Sequence, residues 1–204
     1  MGGRFSNRPP LNLNMETIIE QKKALRKKVR ALKREMSPSL AQVESKKVIS
    51  ELDNLAPFNA AKVIMAFWSM DDEIDIKDAI IRWSKTKRVI LPVVDGDRLL
   101  LKEFTGLSEL KPGDLFSIPE PVGSEIPDPS VIDLIVVPGV AFSRKLQRMG
   151  RGKAYYDHLL ESLSALRVGI CYSCQLFDNI PCEPHDLAMD YVITPDELIY
   201  SSFG

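Results

Sequence analysis

The chain reads as an α/β protein: a layered fold with a largely parallel central sheet flanked by helices, and one hairpin or antiparallel addition. Three observations predict this. Amphipathic helical stretches alternate with short apolar runs rich in strand formers, the pattern of βα units. Two such runs are joined by Asp95-Gly96-Asp97, a tight-turn sequence that sets a hairpin into the alternation. Another run ends at Pro138 and enters a glycine-bearing cationic loop followed by a helix-like segment. That is the carboxyl end of a strand, where such sheets hold ligands.

In chain order, MGGRFSNRPPLNLN lacks the apolar core of a secretory signal, so residues 1–14 read as a disordered leader or as residues added ahead of the native start. A total of 204 residues suits one domain, expected over 15–204. From Met15 to Met36, Ile18, Leu25, Val29, Leu32 and Met36 share one face at helical spacing. The same wheel puts Lys22, Arg26 and Lys33 beside that stripe and turns Lys23, Lys27 and Arg34 away. Either the first set reaches into a cleft or the whole basic face is solvated. Ser37-Pro38 looks like an N-cap and first helical turn, with Leu40, Val43, Val48 and Leu52 carrying a second helix that ends before Pro57.

Lys62 to Trp68 suits a buried strand, and Asp75 a cap for a helix whose Ile76, Ile80 and Trp83 share a face. Arg88–Val94 and Arg98–Phe104 form the hairpin. Leu107 to Ser130 holds five prolines and two glycines, so turns and extended chain are expected, with KPGDLFSIPEP a possible cover over a site. Asp133–Val137 is the next strand, Ala154–Leu163 a helix, Val168–Tyr172 a strand and Tyr191–Ile193 a last short one.

Composition narrows function. No apolar run approaches a membrane span, and a cytoplasmic address is expected. With 27 basic against 28 acidic residues no global field favours nucleic acid, so any anion site is local. The local candidate is Arg144, Lys145, Arg148, Arg151 and Lys153, with no acid between Asp133 and Asp157. Gly150-Arg151-Gly152-Lys153 is neither a Walker loop nor a dinucleotide fingerprint, since the required spacers are absent. It fits a phosphate cradle of backbone N–H groups. A phosphate chain normally brings Mg2+, for which Asp157 and Asp186 are candidates among Asp71, Asp72, Glu73, Asp157, Asp186 and Asp190. Alternatively, Asp157 pairs with a local arginine and Asp190 caps a turn. Cys171-x-x-Cys174 and Cys182-x-x-His185 mimic zinc ligands, but the seven-residue connection and the apolar strand around Cys171 favour buried structural cysteines.

QRMGRGKAYYDHLL, preceded by VVPGVAF, closely resembles the signature of the 5-formyltetrahydrofolate cyclo-ligase (5,10-methenyltetrahydrofolate synthetase) family, PGxAF followed by R-(L/M)-G-x-G-x-G-Y-Y-D. Lys22-x-x-Leu25-Arg26, WSMDDEID, SIPEP and PCEPHDLAMD resemble further family stretches in the same order, so the likeness runs from about Lys22 to Thr194. It implies ATP bound by Lys22, Arg26, Arg148, Met149, Gly150, Arg151, Gly152, Lys153, Ala154, Tyr155 and Tyr156. It also implies Mg2+ on Asp157 and Asp186, and folate on Trp68 and Glu73 with Gly150–Ala154 and Tyr155 at the junction. Arg148, Lys153 and Tyr155 take the catalytic roles. A monomer is expected, acting on a small-molecule folate, without nucleic acid or membrane. Two departures stand out: Leu146-Gln147 replaces a frequent Gly-Asn, and Ala154 replaces the third loop glycine. Because Ala154 opens a helix, ordinary helical angles are expected there. Competing readings are a sugar-phosphate isomerase or acyl-CoA transferase of similar layering, and an RNA-binding protein using the basic helix.

Overall fold

The computed structural model describes residues 13–96, 98–113, 118–183 and 186–201. Residues 1–12 of the expected leader, Asp97, positions 114–117 and His185 lie outside the described residues. The chain begins with α1 (Leu13–Glu35), α2 (Pro38–Asn54) and α3 (Ala56–Ala60), and continues through β1 (Val63–Met65), α4 (Lys77–Trp83), β2 (Arg88–Asp95) and β3 (Arg98–Glu103). Then come β4 (Leu110–Pro112), β5 (Pro119–Pro121), β6 (Leu134–Val137), β7 (Ala141–Ser143), β8 (Arg148–Met149) and α5 (Tyr155–Glu161). The last elements are β9 (Leu166–Ile170), β10 (Leu176–Phe177), β11 (Tyr191–Ile193) and β12 (Leu198–Tyr200).

Seven strands form the main sheet in the order β12-β11-β9-β6-β1-β2-β3. Pairs from β11 to β2 are parallel, and β12 and β3 add antiparallel edges. The expected hairpin is therefore β2–β3, and a second antiparallel addition closes the other edge. Strand alternation sends Ile64, Leu134 and Val136 to one face, packed under α2, α3 and α4. Met65, Ile135 and Val137 go to the other, with Leu160 of α5. Both faces are buried, which is why these strands read as continuous apolar runs. Val29 docks α1 on a small β10-β7-β8 sheet, against Ala141, Met149 and Ile180.

Several boundaries differ from expectation. The run from Lys62 stays in the sheet only as far as Met65, with Ala66 N–H donating to Ile90 O, and Phe67 and Trp68 then leave it. Strand β6 starts after Asp133 because the Asp133 carboxylate turns aside to accept from the N–H groups of Lys62 and Val63 at 2.7 and 2.9 Å. Ser37 caps α2 as read, its hydroxyl accepting from Leu40 N–H. Leu40 and Val43, however, are 45% and 51% exposed. The buried face is Ser45, Val48 and Leu52, because Ser45 Oγ is needed inside as acceptor for Asp75 N–H. Ile76, not Asp75, occupies the cap position of α4, although Asp75 Oδ1 accepts from Lys77 N–H. Cys171 lies just past β9, fully buried, and all three cysteines are free. No helix among the described residues is long and apolar enough to cross a membrane.

Candidate active site

Strand β6 delivers the chain to Pro138-Gly139, and β7 and β8 fold it back so that the loop 150–154 lies beside the carboxyl ends of β1 and β2. The ring of Phe142, fully buried, is the floor under this turn: a Cβ at Gly139 would sit 2.6 Å from it, and one at Gly169 would collide with it. Gly152 at φ 98° and Ala154 at φ 56° curl the loop before α5. Ala154 is thus left-handed, contrary to the helical angles expected, because α5 begins one residue later and Ala154 is its cap.

The loop bounds a cavity of about 200 Å³. One wall is apolar and aromatic: Phe67, Trp68, Met70, Pro92, Val94, Leu99 and Ile118. The other runs from Gly150 through Asp157 with Arg148 behind it, and Glu73 and Glu120 stand between. A wider cleft of about 720 Å³ lies across the acidic loop, between α2 and α4, and shares Met70 and Glu73. Its lining mixes acids and bases without an aromatic wall, so it offers no comparable ring slot.

Charge is tightly organised. Arg148 is buried, donating to Pro138 O at 3.1 Å and to Asp157 Oδ1 at 2.5 Å, with its guanidinium 5.7 Å from the Tyr156 ring centre. The Tyr156 hydroxyl is buried without a partner among the described residues, and burial, with Glu73 nearby, pushes its pKa far up. Arg151 Nη2 reaches Asp72 at 2.5 Å and Glu73 at 3.0 Å. Burial opposes the charge of Arg151, but the two carboxylates outweigh it and raise its pKa. Helix α1 lies alongside as a strap. Lys22 bonds Glu183 and Asp186 at 2.6 and 2.9 Å, Arg26 Nε donates to Gly150 O at 3.0 Å, and Lys33 holds Asp72 at 2.7 Å. Lys23, Lys27 and Arg34 face water, as the wheel predicts.

Trp68, Glu73, Arg148, Gly150, Arg151, Gly152, Lys153, Ala154, Tyr155, Tyr156 and Asp157 therefore meet at one cavity. Tyr155 reaches across it, its hydroxyl donating to Gly96 O at 3.1 Å. Met149 does not line it; its side chain packs with Val29 in the α1 core. Lys22, Arg26 and Asp186 lie on the strap side. Asp157 has the local arginine foreseen as its alternative, and Asp190 accepts from Arg167 N–H at 2.7 Å. Cys182 Sγ is 2.8 Å from Gln147 Nε2. Among the described residues no group of three or more His, Cys, Asp or Glu could hold a metal ion. Mg2+ on a phosphate chain needs fewer, one or two carboxylates with waters and phosphate oxygens. Asp157, 40% exposed on the cavity wall, fits that part, while Asp186 is already engaged by Lys22 and by Glu183 N–H. The apolar wall from Pro92, Val94 and Leu99 was not foreseen; its signal is the alternation of half-buried positions along the hairpin.

The sequence and the fold have counterparts in known proteins. A model of the 5-formyltetrahydrofolate cyclo-ligase family matches residues 18–195. The chain belongs to this family. Among cyclo-ligases, that of Escherichia coli K12 is 30% identical over 180 residues, covering 83% of this chain and 98% of that protein. That of Mus musculus is 26% identical, covering 84% and 90%. The solved structure of Aquifex aeolicus 5,10-methenyltetrahydrofolate synthetase superposes with a TM-score of 0.82 at 35% identity, covering 90% of this chain and 94% of that one. As a cyclo-ligase family member the chain is an enzyme of the ligase class, on the fold that the sequence predicts.

Proposed function

We propose that the domain 15–204 cyclises 5-formyltetrahydrofolate to 5,10-methenyltetrahydrofolate, consuming ATP as co-substrate and releasing ADP and phosphate. The formyl carbon belongs to an amide, so its oxygen leaves poorly and N10 cannot displace it unaided. The formyl oxygen attacks the γ-phosphorus of ATP, forming a C–O–P link as ADP departs. N10 then adds to the activated carbon and loses its proton, and phosphate leaves with the C–O electron pair to give the methenyl bridge.

Supporting this reading is one observation: apolar residues including Phe67 and Trp68 and a cationic glycine loop line the same cavity. A ring system in the slot presents its substituent to a phosphate chain on the loop. The chemistry then needs positioning and charge neutralisation more than an acid–base pair. Arg148 and Lys153 offset charge on the transferring phosphoryl group, and Tyr155 stands at the junction. Lys22, Arg26 and the backbone from Arg148 to Tyr156 hold ATP, Met149 through its main chain. Trp68 packs on the folate and Glu73 accepts from its ring N–H groups. Asp157, with Asp186 on the strap side, would hold Mg2+, whose chemistry when bound is to screen the phosphate charge. The enzyme works in the cytoplasm as a monomer on a small-molecule folate, without nucleic acid or membrane.

The test mixes protein, Mg2+, ATP and 5-formyltetrahydrofolate and follows the near-UV absorbance of the methenyl product. An ATP-dependent rise is expected; no rise from folded protein refutes the proposal.

A further inference from the structure

We infer that Arg151 makes folate binding conditional on the nucleotide, by occupying Glu73 until a phosphate chain draws the arginine away. The inference rests on the function proposed above and deepens it. Both carboxylate oxygens of Glu73 are engaged: Oε1 accepts from Arg151 at 3.0 Å, Oε2 from Met70 N–H at 3.0 Å, and its main-chain oxygen accepts from Tyr172 at 2.6 Å. The side chain is only 11% exposed. With so little of the carboxylate open, ring N–H donors reach it at the edge that Arg151 covers, and they gain it by replacing Arg151, since the Met70 and Tyr172 bonds belong to the scaffold.

Asp72 and Glu73 are not equivalent in this exchange. Asp72 has a second cation, Lys33, which donates both to its carboxylate and to its main-chain oxygen. When Arg151 leaves, Asp72 stays compensated. Among the described residues Arg151 is the cation bonded to Glu73, so its departure exposes that carboxylate to the slot. Arg151 is built to move: its side chain is 44% exposed and it stands between Gly150 and Gly152. A polyphosphate competes well for it, because a guanidinium matches phosphate oxygens with paired donors. The present cavity, about 200 Å³, is also below the roughly 300–1,000 Å³ of ordinary ligand clefts, as expected when an ion pair spans one side.

The experiment measures equilibrium binding of 5-formyltetrahydrofolate to the full chain by calorimetry, with and without Mg2+ and the β,γ-imido analogue of ATP. In the wild type the analogue should tighten folate by about tenfold, and folate should tighten the analogue by the same factor, since linkage is reciprocal. In Arg151→Ala folate should bind without the analogue about as tightly as the wild type binds it with the analogue, and the ratio should fall to near one. Arg151→Lys, which keeps the charge without the paired donors, should retain part of the coupling. Two results overturn the inference alone: both ligands bind the wild type with a ratio of one, or Arg151→Ala loses folate binding, which would make Arg151 a folate ligand. If folded wild type binds neither ligand, the proposed function falls and the inference with it.

Discussion

Among the described residues only Leu146 and Ala154 take a positive φ without being glycine, at 64° and 56°. Both stand where the family pattern has glycine, so each departure noted in the sequence falls on a left-handed position. A non-glycine residue there costs roughly 1–2 kcal/mol, and glycine returns part of that as unfolded-state entropy. Ala154→Gly is therefore expected to stabilise the protein by about 0.5 kcal/mol, read as a higher midpoint in urea. If the proposed roles hold, variants at Lys153 and Arg148 separate catalysis from stability. Lys153 is exposed on the cavity rim, so Lys153→Ala should cut turnover by on the order of a hundredfold and leave the urea midpoint unchanged. Arg148→Ala should lower both, because it also strands Asp157 and the acceptor at Pro138. At this scale the place of Lys22, Arg26 and Lys33 beside the apolar stripe was legible, since a helical period assigns faces, whereas their engagement by Glu183, Asp186, Gly150 and Asp72 was left open between a cleft and solvent. The partners of Arg151, 79 and 78 residues away, were not, since no local pattern encodes them.

Elements were legible where burial is two-sided. Strands β2, β6 and β9 announce themselves as apolar runs between turn residues, and Tyr191–Ile193 reads as a short strand, as β11 is. Strands β7, β8 and β10 are two or three residues long, too short to show alternation, and β12 alternates exposed and half-buried positions only weakly. Yet β7 carries the floor of the site. Phe142 fits because Gly169 on β9 has no side chain to collide with it. Gly169→Ala should cost about 1–3 kcal/mol by overpacking, measured by chemical denaturation. Phe142→Leu in the same chain should recover part of that loss, a coupling that the double-mutant cycle reads directly.

On the scale of the molecule, α1 joins distant parts of the chain by one face: Glu183 and Asp186, Gly150, and Asp72. Its end staples respond to pH in opposite directions. Burial disfavours the Asp72 carboxylate, but bonds from Arg151 and Lys33 prevail and hold its pKa below the ordinary 3.8. That contribution is present above 3.8 and is lost as pH falls through the lowered value. Burial likewise opposes the charge of Lys22, while Glu183 and Asp186 raise its pKa above 10.5. Its contribution is complete below 10.5 and is lost as pH rises through the raised value. Urea midpoints across pH should therefore show no loss from these two groups between 3.8 and 10.5; in Asp72→Asn the acid-side loss should shrink.

The same strap sets an order on the ribosome. Lys22 is synthesised long before Glu183 and Asp186, which follow it by 161 and 164 residues. At roughly 5–20 residues per second the helix waits about 8–30 s for those partners. Ala141 and Met149 are made earlier in that interval and Ile180 only near its end, so the core under Val29 is completed just before the ion-pair partners of Lys22. The strap side of the proposed cradle can therefore close only after Glu183 and Asp186 have been made.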